Sequence, residues 1–319
     1  MYNEKCNDYY TETGAKLHYK IICDTADTPL VLIHGQGMCG QDYQSVFEKL
    51  CKKYKIYLVD CFGHGESEKS LELYRCSVIG DAIVELIRTE IGMPCVLSGH
   101  SSGGILAAYV AGKIPELVKG LLLEDPPFFN VQPGEFENTF VYKDSFQVIH
   151  NFLNQIEETE YIVYYLEHGY IYNYLGKNHF GKDWAHNLAE EAREKIKENP
   201  GKIPTLNKVS AKSFPGFVYW NKFDYQFSES FYTGEWFDGV KQDEILKSIQ
   251  CPVVYLKAKT KYGKDGVLWG ANSDESADRM MSLIKNGKKI IVRSGHDIHF
   301  EKPRYFLKTI KILDKMISK

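Results

Sequence analysis

The chain has 319 residues, 39 Lys and Arg against 42 Asp and Glu, and a hydrophobic fraction of 44%. That apolar content is too high for a disordered chain, and 26 Gly with 11 Pro is too little for a collagen-like or low-complexity one. A net charge of −3 argues against the clustered basic surface that phosphate-backbone recognition needs, so no nucleic-acid partner is expected.

The length suits one large domain or two smaller ones. The first ten residues combine no basic stretch with an apolar run, so no secretory signal is read there. The longest run without a strongly polar side chain, residues 103–112, is short of the ~18–20 residues a spanning helix needs, so no membrane insertion is expected. The eight cysteines, Cys6, Cys23, Cys39, Cys51, Cys61, Cys76, Cys95 and Cys251, include no C-x-x-C pair. They read as buried thiols in a reducing cytosol, not as a disulfide framework or zinc site, and a cytoplasmic location is expected.

In chain order, Leu30–Ile33 and Tyr54–Val59 read as strands. The first runs into His34-Gly35-Gln36-Gly37 and the second into a glycine-rich turn from Asp60 to Ser67. Apolar residues at 79, 82, 83, 86, 87 and 91 predict a helix over 78–91. A strand at Cys95–Leu97, an alanine-rich helix at Ile105–Ile114 and a strand at Leu121–Leu123 follow, the last ending in Glu124-Asp125-Pro126-Pro127. The alternation then stops until about Val240. That stretch holds two helix-like segments, 145–168 and 184–198, and an aromatic-crowded one, 214–237. The pattern resumes with a strand at Pro252–Leu256, a helix at Asp274–Lys285, a strand at Lys289–Val292 and a closing helix at Tyr305–Ile317. This is an α/β chain with a mainly parallel central sheet and helices on both faces. Residues 1–127 and 241–319 form its core, and 128–240 a mostly helical insertion after the sixth strand.

Gly99-His100-Ser101-Ser102-Gly103 lies between a strand and a helix and matches G-x-S-x-G. The turn is too tight for side chains beside the serine, and the following helix points its positive end at the site. Ser101 is the candidate nucleophile.

With His34-Gly35-Gln36-Gly37, the Asp60–Ser67 turn and Gly295-His296 followed by Glu301 and Pro303, these motifs resemble the α/β-hydrolase superfamily over nearly the whole chain. The resemblance implies a serine hydrolase with a cap and a Ser-His-Asp triad. His296 stands at the position of the general base, with His299 as the other candidate. Family members place the acid after the seventh strand, where Asp265 is the nearest carboxylate, or after the sixth, where Asp125 stands 24 residues beyond Ser101. Asp125 is favoured, with Asp265, Glu124 and Asp274 as alternatives. By the same analogy the backbone N–H groups of Gln36 and Ser102 form the oxyanion hole. His64 is expected to be a hydrogen-bonding brace, and the lysine-rich loop 257–264 a solvated one.

No H-E-x-x-H, G-x-G-x-x-G or G-x-x-x-x-G-K motif occurs, so neither a metal nor a nucleotide cofactor is expected. Residues 128–240 hold 26 of the chain's 43 aromatic residues. Most are expected to pack the insertion, and some to line an apolar pocket. The expected substrate is a hydrophobic small-molecule ester, thioester or lactone. A carbon–carbon bond hydrolase, or a small-molecule receptor on the same fold, is the alternative.

Overall fold

The apolar runs assemble into one eight-stranded sheet in the computed structural model, which describes residues 3–207, 209 and 218–319. Its strands are β1 (Glu4–Tyr10), β2 (Lys16–Ile22), β3 (Thr28–Ile33), β4 (Tyr54–Val59), β5 (Cys95–His100), β6 (Val118–Glu124), β7 (Val253–Ala258) and β8 (Gly287–Val292). The order across the sheet is β1-β2-β4-β3-β5-β6-β7-β8. β1 pairs antiparallel with β2, and β2 with β4; β3 to β8 all run parallel.

Alternating residues explain why the central strands read as unbroken apolar runs. On β3, Leu30 and Leu32 join Phe47 of α1 (Phe47–Leu50) and Phe306 and Ile310 of α12 (Pro303–Ile317). Val31 and Ile33 instead join Ile79 and Ile83 of α2 (Cys76–Leu86) and Ile105 of α3 (Ser102–Lys113). Phe306, Ile310 and Leu313 are buried along one stripe of α12. Because β3 to β8 are parallel, the turns after β3, β5, β6 and β8 emerge at one edge of the sheet. Those turns carry Gln36, Ser101, Asp125 and His296, which is where open α/β sheets bind ligands.

Between β6 and β7 the described residues add no strand to the sheet. They form α4 (Gln147–Leu153), α5 (Tyr161–His168), α6 (Tyr170–Leu175), α7 (Trp184–Glu198), α8 (Tyr225–Thr233) and α9 (Gln242–Ser248). The helix-like segment 145–168 is thus two helices with a turn between them. Gln155 holds that turn: its Oε1 accepts from Glu158 N–H at 2.8 Å and its Nε2 donates to the Phe152 carbonyl at 3.0 Å. The reversal brings Phe152 edge-on to Tyr161 at 5.1 Å. Of the aromatic-crowded segment, residues 214–217 lie outside the described residues. The rest packs largely on itself: Phe231 stacks on Phe146 at 5.2 Å and on Trp236 at 4.3 Å.

The cysteine reading needs correction. Cys23 and Cys51, 28 residues apart, are joined by a disulfide with Cα atoms 5.4 Å apart. The end of β2 and the residue after α1 meet only in the tertiary fold, and no local spacing announces that. The argument for a reducing compartment rested on eight thiols, so it loses that support. Six cysteines are free and all but Cys6 are buried. No helix among the described residues is long and apolar enough to cross a membrane.

One buried ionic cluster ties the sheet edge together. His299, on α11 (Ile298–Glu301), is fully buried between two carboxylates. Its Nδ1 lies 3.0 Å from Glu124 Oε1 and its Nε2 2.9 Å from Asp42 Oδ2. Its backbone N–H also donates to Glu124 Oε1 at 2.6 Å, and its carbonyl accepts from Ser45 Oγ at 2.7 Å. Two carboxylate partners require two ring protons, so the ring is an imidazolium. Burial opposes that charge, but Glu124 and Asp42 outweigh it and raise the His299 pKa well above its ordinary value.

Replacing His299 by Ala leaves two buried carboxylates without their cation, a loss of about 3–5 kcal/mol. Chemical denaturation at neutral pH measures it, and a change within 1 kcal/mol would refute the clamp. Because folding raises this pKa, the His299 contribution is complete below about pH 6.5. It declines as pH climbs through the raised native value, so the gap between wild type and variant narrows in alkali.

Candidate active site

Ser101 caps β5 in a backbone conformation, φ 54° and ψ −124°, that L-residues rarely adopt. Two hydrogen bonds of 2.9 Å hold it there, from Ser101 N–H to the Glu124 carbonyl and from Gly104 N–H to the Ser101 carbonyl. The flanking glycines are obligatory in steric terms. A Cβ on Gly99 would lie 2.1 Å from the Gly103 carbonyl oxygen, and one on Gly103 would lie 2.3 Å from that of His34. Ser102 is the first residue of α3, so its N–H has no acceptor within the helix.

The turn after β3 is braced by two buried histidines. His34 accepts from Cys61 N–H at 3.0 Å on Nε2 and donates from Nδ1 to the Gly35 carbonyl at 2.8 Å. His64 accepts from Gly37 N–H at 3.0 Å on Nε2 and donates from Nδ1 to the Phe62 carbonyl at 3.1 Å. Each ring has one accepting nitrogen, so both are neutral, and burial holds both below their ordinary pKa. His64 is therefore the brace the sequence suggests. The Gln36 side chain reaches outward instead: its Nε2 donates to Ser145 Oγ at 2.9 Å and Ser228 Oγ at 3.1 Å.

Asp125 follows β6 with φ 44° and is almost fully buried. Its Oδ1 accepts from Ala258 N–H at 3.0 Å, and its Oδ2 lies 2.8 Å from His296 Nδ1. His296 sits in the loop after β8, with its side chain 36% exposed. Gly295 N–H before it is anchored to Glu301 Oε2 at 2.8 Å, and its own carbonyl accepts from His100 Nε2 at 3.2 Å. Burial would lower the His296 pKa, but the Asp125 hydrogen bond and charge, with Asp297 and Glu124 behind them, raise it above its ordinary value. The neighbouring His100 is pushed the other way, to about 3, by burial and by His296.

Ser101, His296 and Gln36 all line one cavity of about 600 Å³. Its walls are mostly apolar and aromatic, with Phe140, Tyr161, Tyr165 and Trp220 from the β6–β7 crossover and Trp269 opposite. So Tyr161 and Tyr165 face the pocket, whereas most of the crossover's other rings pack it.

The remaining candidates lie elsewhere. Asp265 is on an exposed turn outside the cavity lining, where it accepts from Tyr170 O–H at 2.7 Å. Asp274, at the start of α10 (Asp274–Leu283), accepts from Thr260 Oγ1 at 2.6 Å. Glu124 and His299 pair with each other, away from the cavity. Among the described residues Asp42, His100 and His299 are near enough to hold a metal ion, but the imidazolium of His299 has no lone pair for one. The 257–264 loop is not wholly solvated: Lys257 is buried, donating to the Asn272 carbonyl at 3.0 Å and to Thr260 Oγ1 at 2.6 Å. Sequence reasoning missed Asp144 and Asp297 on the cavity wall, which sit in polar stretches with no distinguishing spacing.

Among curated proteins, the pimeloyl-[acyl-carrier protein] methyl ester esterase of Chromobacterium violaceum is 34% identical over 94 residues, 30% of this chain and 35% of that protein. The chain thus spans about a third of the length of the curated relatives it matches. Among solved structures, a hydrolase from Pseudomonas aeruginosa PA01 superposes with a TM-score of 0.66 at 15% identity, covering 97% of this chain and 98% of that one. The enol-lactonase from Burkholderia xenovorans LB400 superposes at 0.63 and 14% identity, covering 97% and 100%. These two likenesses show the fold. The family model described as the alpha/beta hydrolase family matches residues 30–309, and the chain belongs to that family.

Proposed function

We propose that the protein is a serine hydrolase that cleaves an ester, thioester or lactone of a hydrophobic small molecule through an acyl-enzyme. The 2.8 Å contact between Asp125 Oδ2 and His296 Nδ1, at the wall of the cavity that Ser101 lines, carries this reading. A proton on Nδ1 held by Asp125 leaves the Nε2 lone pair of His296 to take the Ser101 proton as the serine attacks the carbonyl. The imidazolium so formed is stabilised by Asp125 and returns its proton to the leaving group. The N–H groups of Gln36 and Ser102 are the donors for the developing oxyanion. In the second half-reaction water, activated by His296, releases the acid. On this reading residues 128–240 are a cap over a core of residues 1–127 and 241–319, and the cap's aromatic rings supply the apolar wall for the substrate. The esterase activity named for the Chromobacterium violaceum relative agrees with this class of reaction.

A fluorophosphonate probe should label the wild-type protein and not Ser101→Ala; folded wild-type protein that stays unlabelled would falsify the reading. Asp125→Asn should retain the fold and lower kcat by about 10⁴-fold through loss of the correct imidazole tautomer. An equal loss in Asp265→Asn with a mild effect at Asp125 would reverse the choice of acid.

The pH dependence follows from the raised His296 pKa. General-base action needs the neutral ring, so the labelling rate should fall in acid with a midpoint above about pH 6.5. Removing the Asp125 charge should move that midpoint down. A midpoint at or below the ordinary histidine value in wild type would contradict the assignment.

A further inference from the structure

Asp144 is a buried carboxyl on the cavity wall, contributed by the β6–β7 crossover. Its Oδ2 accepts from Tyr165 O–H at 2.5 Å and its Oδ1 from Ile171 N–H at 2.8 Å. Both donors are neutral, and a carboxylate has about four lone-pair directions, so two are left over. No Lys, Arg or His forms an ion pair with Asp144 among the described residues. Burial lifts its pKa to about 6 against the pull of the two hydrogen bonds. A buried charge without a counter-ion is costly, and an asparagine could keep both contacts without that cost, its oxygen accepting from Ile171 N–H and its amide donating to the Tyr165 hydroxyl oxygen. Holding α5 to α6 therefore does not explain why the group is an acid.

The rest of the cavity points the same way. Among its described lining residues there is no Lys or Arg, while Asp297 and Glu301 add two further carboxyl groups. Next to Asp144 is a cluster of rings, with Tyr165 4.8 Å and Tyr161 5.3 Å from Trp220 between centroids. Aromatic faces attract a cation and give an anion nothing.

We infer that the cavity recognises substrates bearing an ammonium group, which Asp144 receives, and disfavours substrates bearing a carboxylate. This rests on the serine-hydrolase reading and narrows its substrate class. The hydrophobic part of such a substrate lies on the aromatic wall, its carbonyl at Ser101, and its positive end on the crossover side of the pocket. The ammonium supplies the missing counter-ion and donates to the open lone pairs of Asp144. The bond chemistry at Ser101 is unchanged.

The test is a panel of aryl esters whose acyl chains, three to eight carbons long, end in ammonium, methyl or carboxylate, with a parallel panel carrying the ammonium in the alcohol portion. At the best chain length the wild-type protein should show kcat/KM at least ten-fold higher for the ammonium than for the carboxylate ester. The second panel tells whether the cation enters with the acyl or the leaving group. Asp144→Asn should bring the ammonium-to-carboxylate ratio toward one. A carboxylate ester cleaved as fast as its ammonium partner in wild type overturns the inference, whether or not the variant folds. A ratio unaltered in folded Asp144→Asn overturns it as well. Binding separates this inference from the parent reading: phenylalkylammonium ions should raise the Tm of Ser101→Ala more than phenylalkanoates of equal length. If the fluorophosphonate labels Ser101 but the alkanoates stabilise equally, the charge preference alone is wrong. If nothing labels, the hydrolase reading fails and the Tm comparison still decides the preference.

Discussion

Two successive carboxylates at the end of β6 organise this molecule. Side chains alternate across a strand, so Glu124 and Asp125 leave the sheet edge in different directions. Glu124 enters the interior and binds His299; Asp125 turns to the cavity and binds His296. The two histidines are three residues apart, His296 in the loop after β8 and His299 on α11, so this segment is held at two points against two adjacent residues. The Glu124–His299 contacts therefore help to fix the relative placement of Asp125 and His296. The Glu124 carbonyl also receives the Ser101 N–H, which ties the Ser101 turn to the same point.

The histidines around this edge differ in charge because they differ in neighbours. His34 and His64 face backbone groups and are neutral struts. His100 is driven far below its ordinary pKa by burial, and His296 beside it adds to the shift. His299 has carboxylates on both nitrogens and is driven far above it. His296 combines a carboxylate partner at 2.8 Å with a side chain 36% exposed on the cavity. One side-chain type thus supplies strut, ion-pair centre and titrating group within one small region, and local electrostatics makes the division.

Much of this was legible in the sequence because it depends on local pattern. The central strands are apolar runs, α7 is a clean helical period matched at both ends, and the residues around Ser101 must be small for any chain that turns so tightly. The Asp125 pairing was legible only as one of several candidates, since it depends on how the β6 turn and the β8 loop meet. β1 was not legible at all: Glu4–Tyr10 is an edge strand with most side chains exposed, so it has no apolar alternation to read. Cys23–Cys51 and the Asp144 wall arise where segments 28 and 21 to 27 residues apart meet, and Lys257 is buried by folding back on Thr260 and Asn272, which no periodicity marks.

The Gln36 amide has a mechanical consequence. It bridges Ser145, just before α4, and Ser228, on α8, while its own peptide lies in the turn beside Ser101. Any outward swing of those crossover segments must either break both bonds or drag the turn with it. On the proposed reading of the crossover as a cap, admission of a ligand and alignment of the Gln36 peptide are not independent degrees of freedom. One side chain thus joins the crossover to the turn beside Ser101.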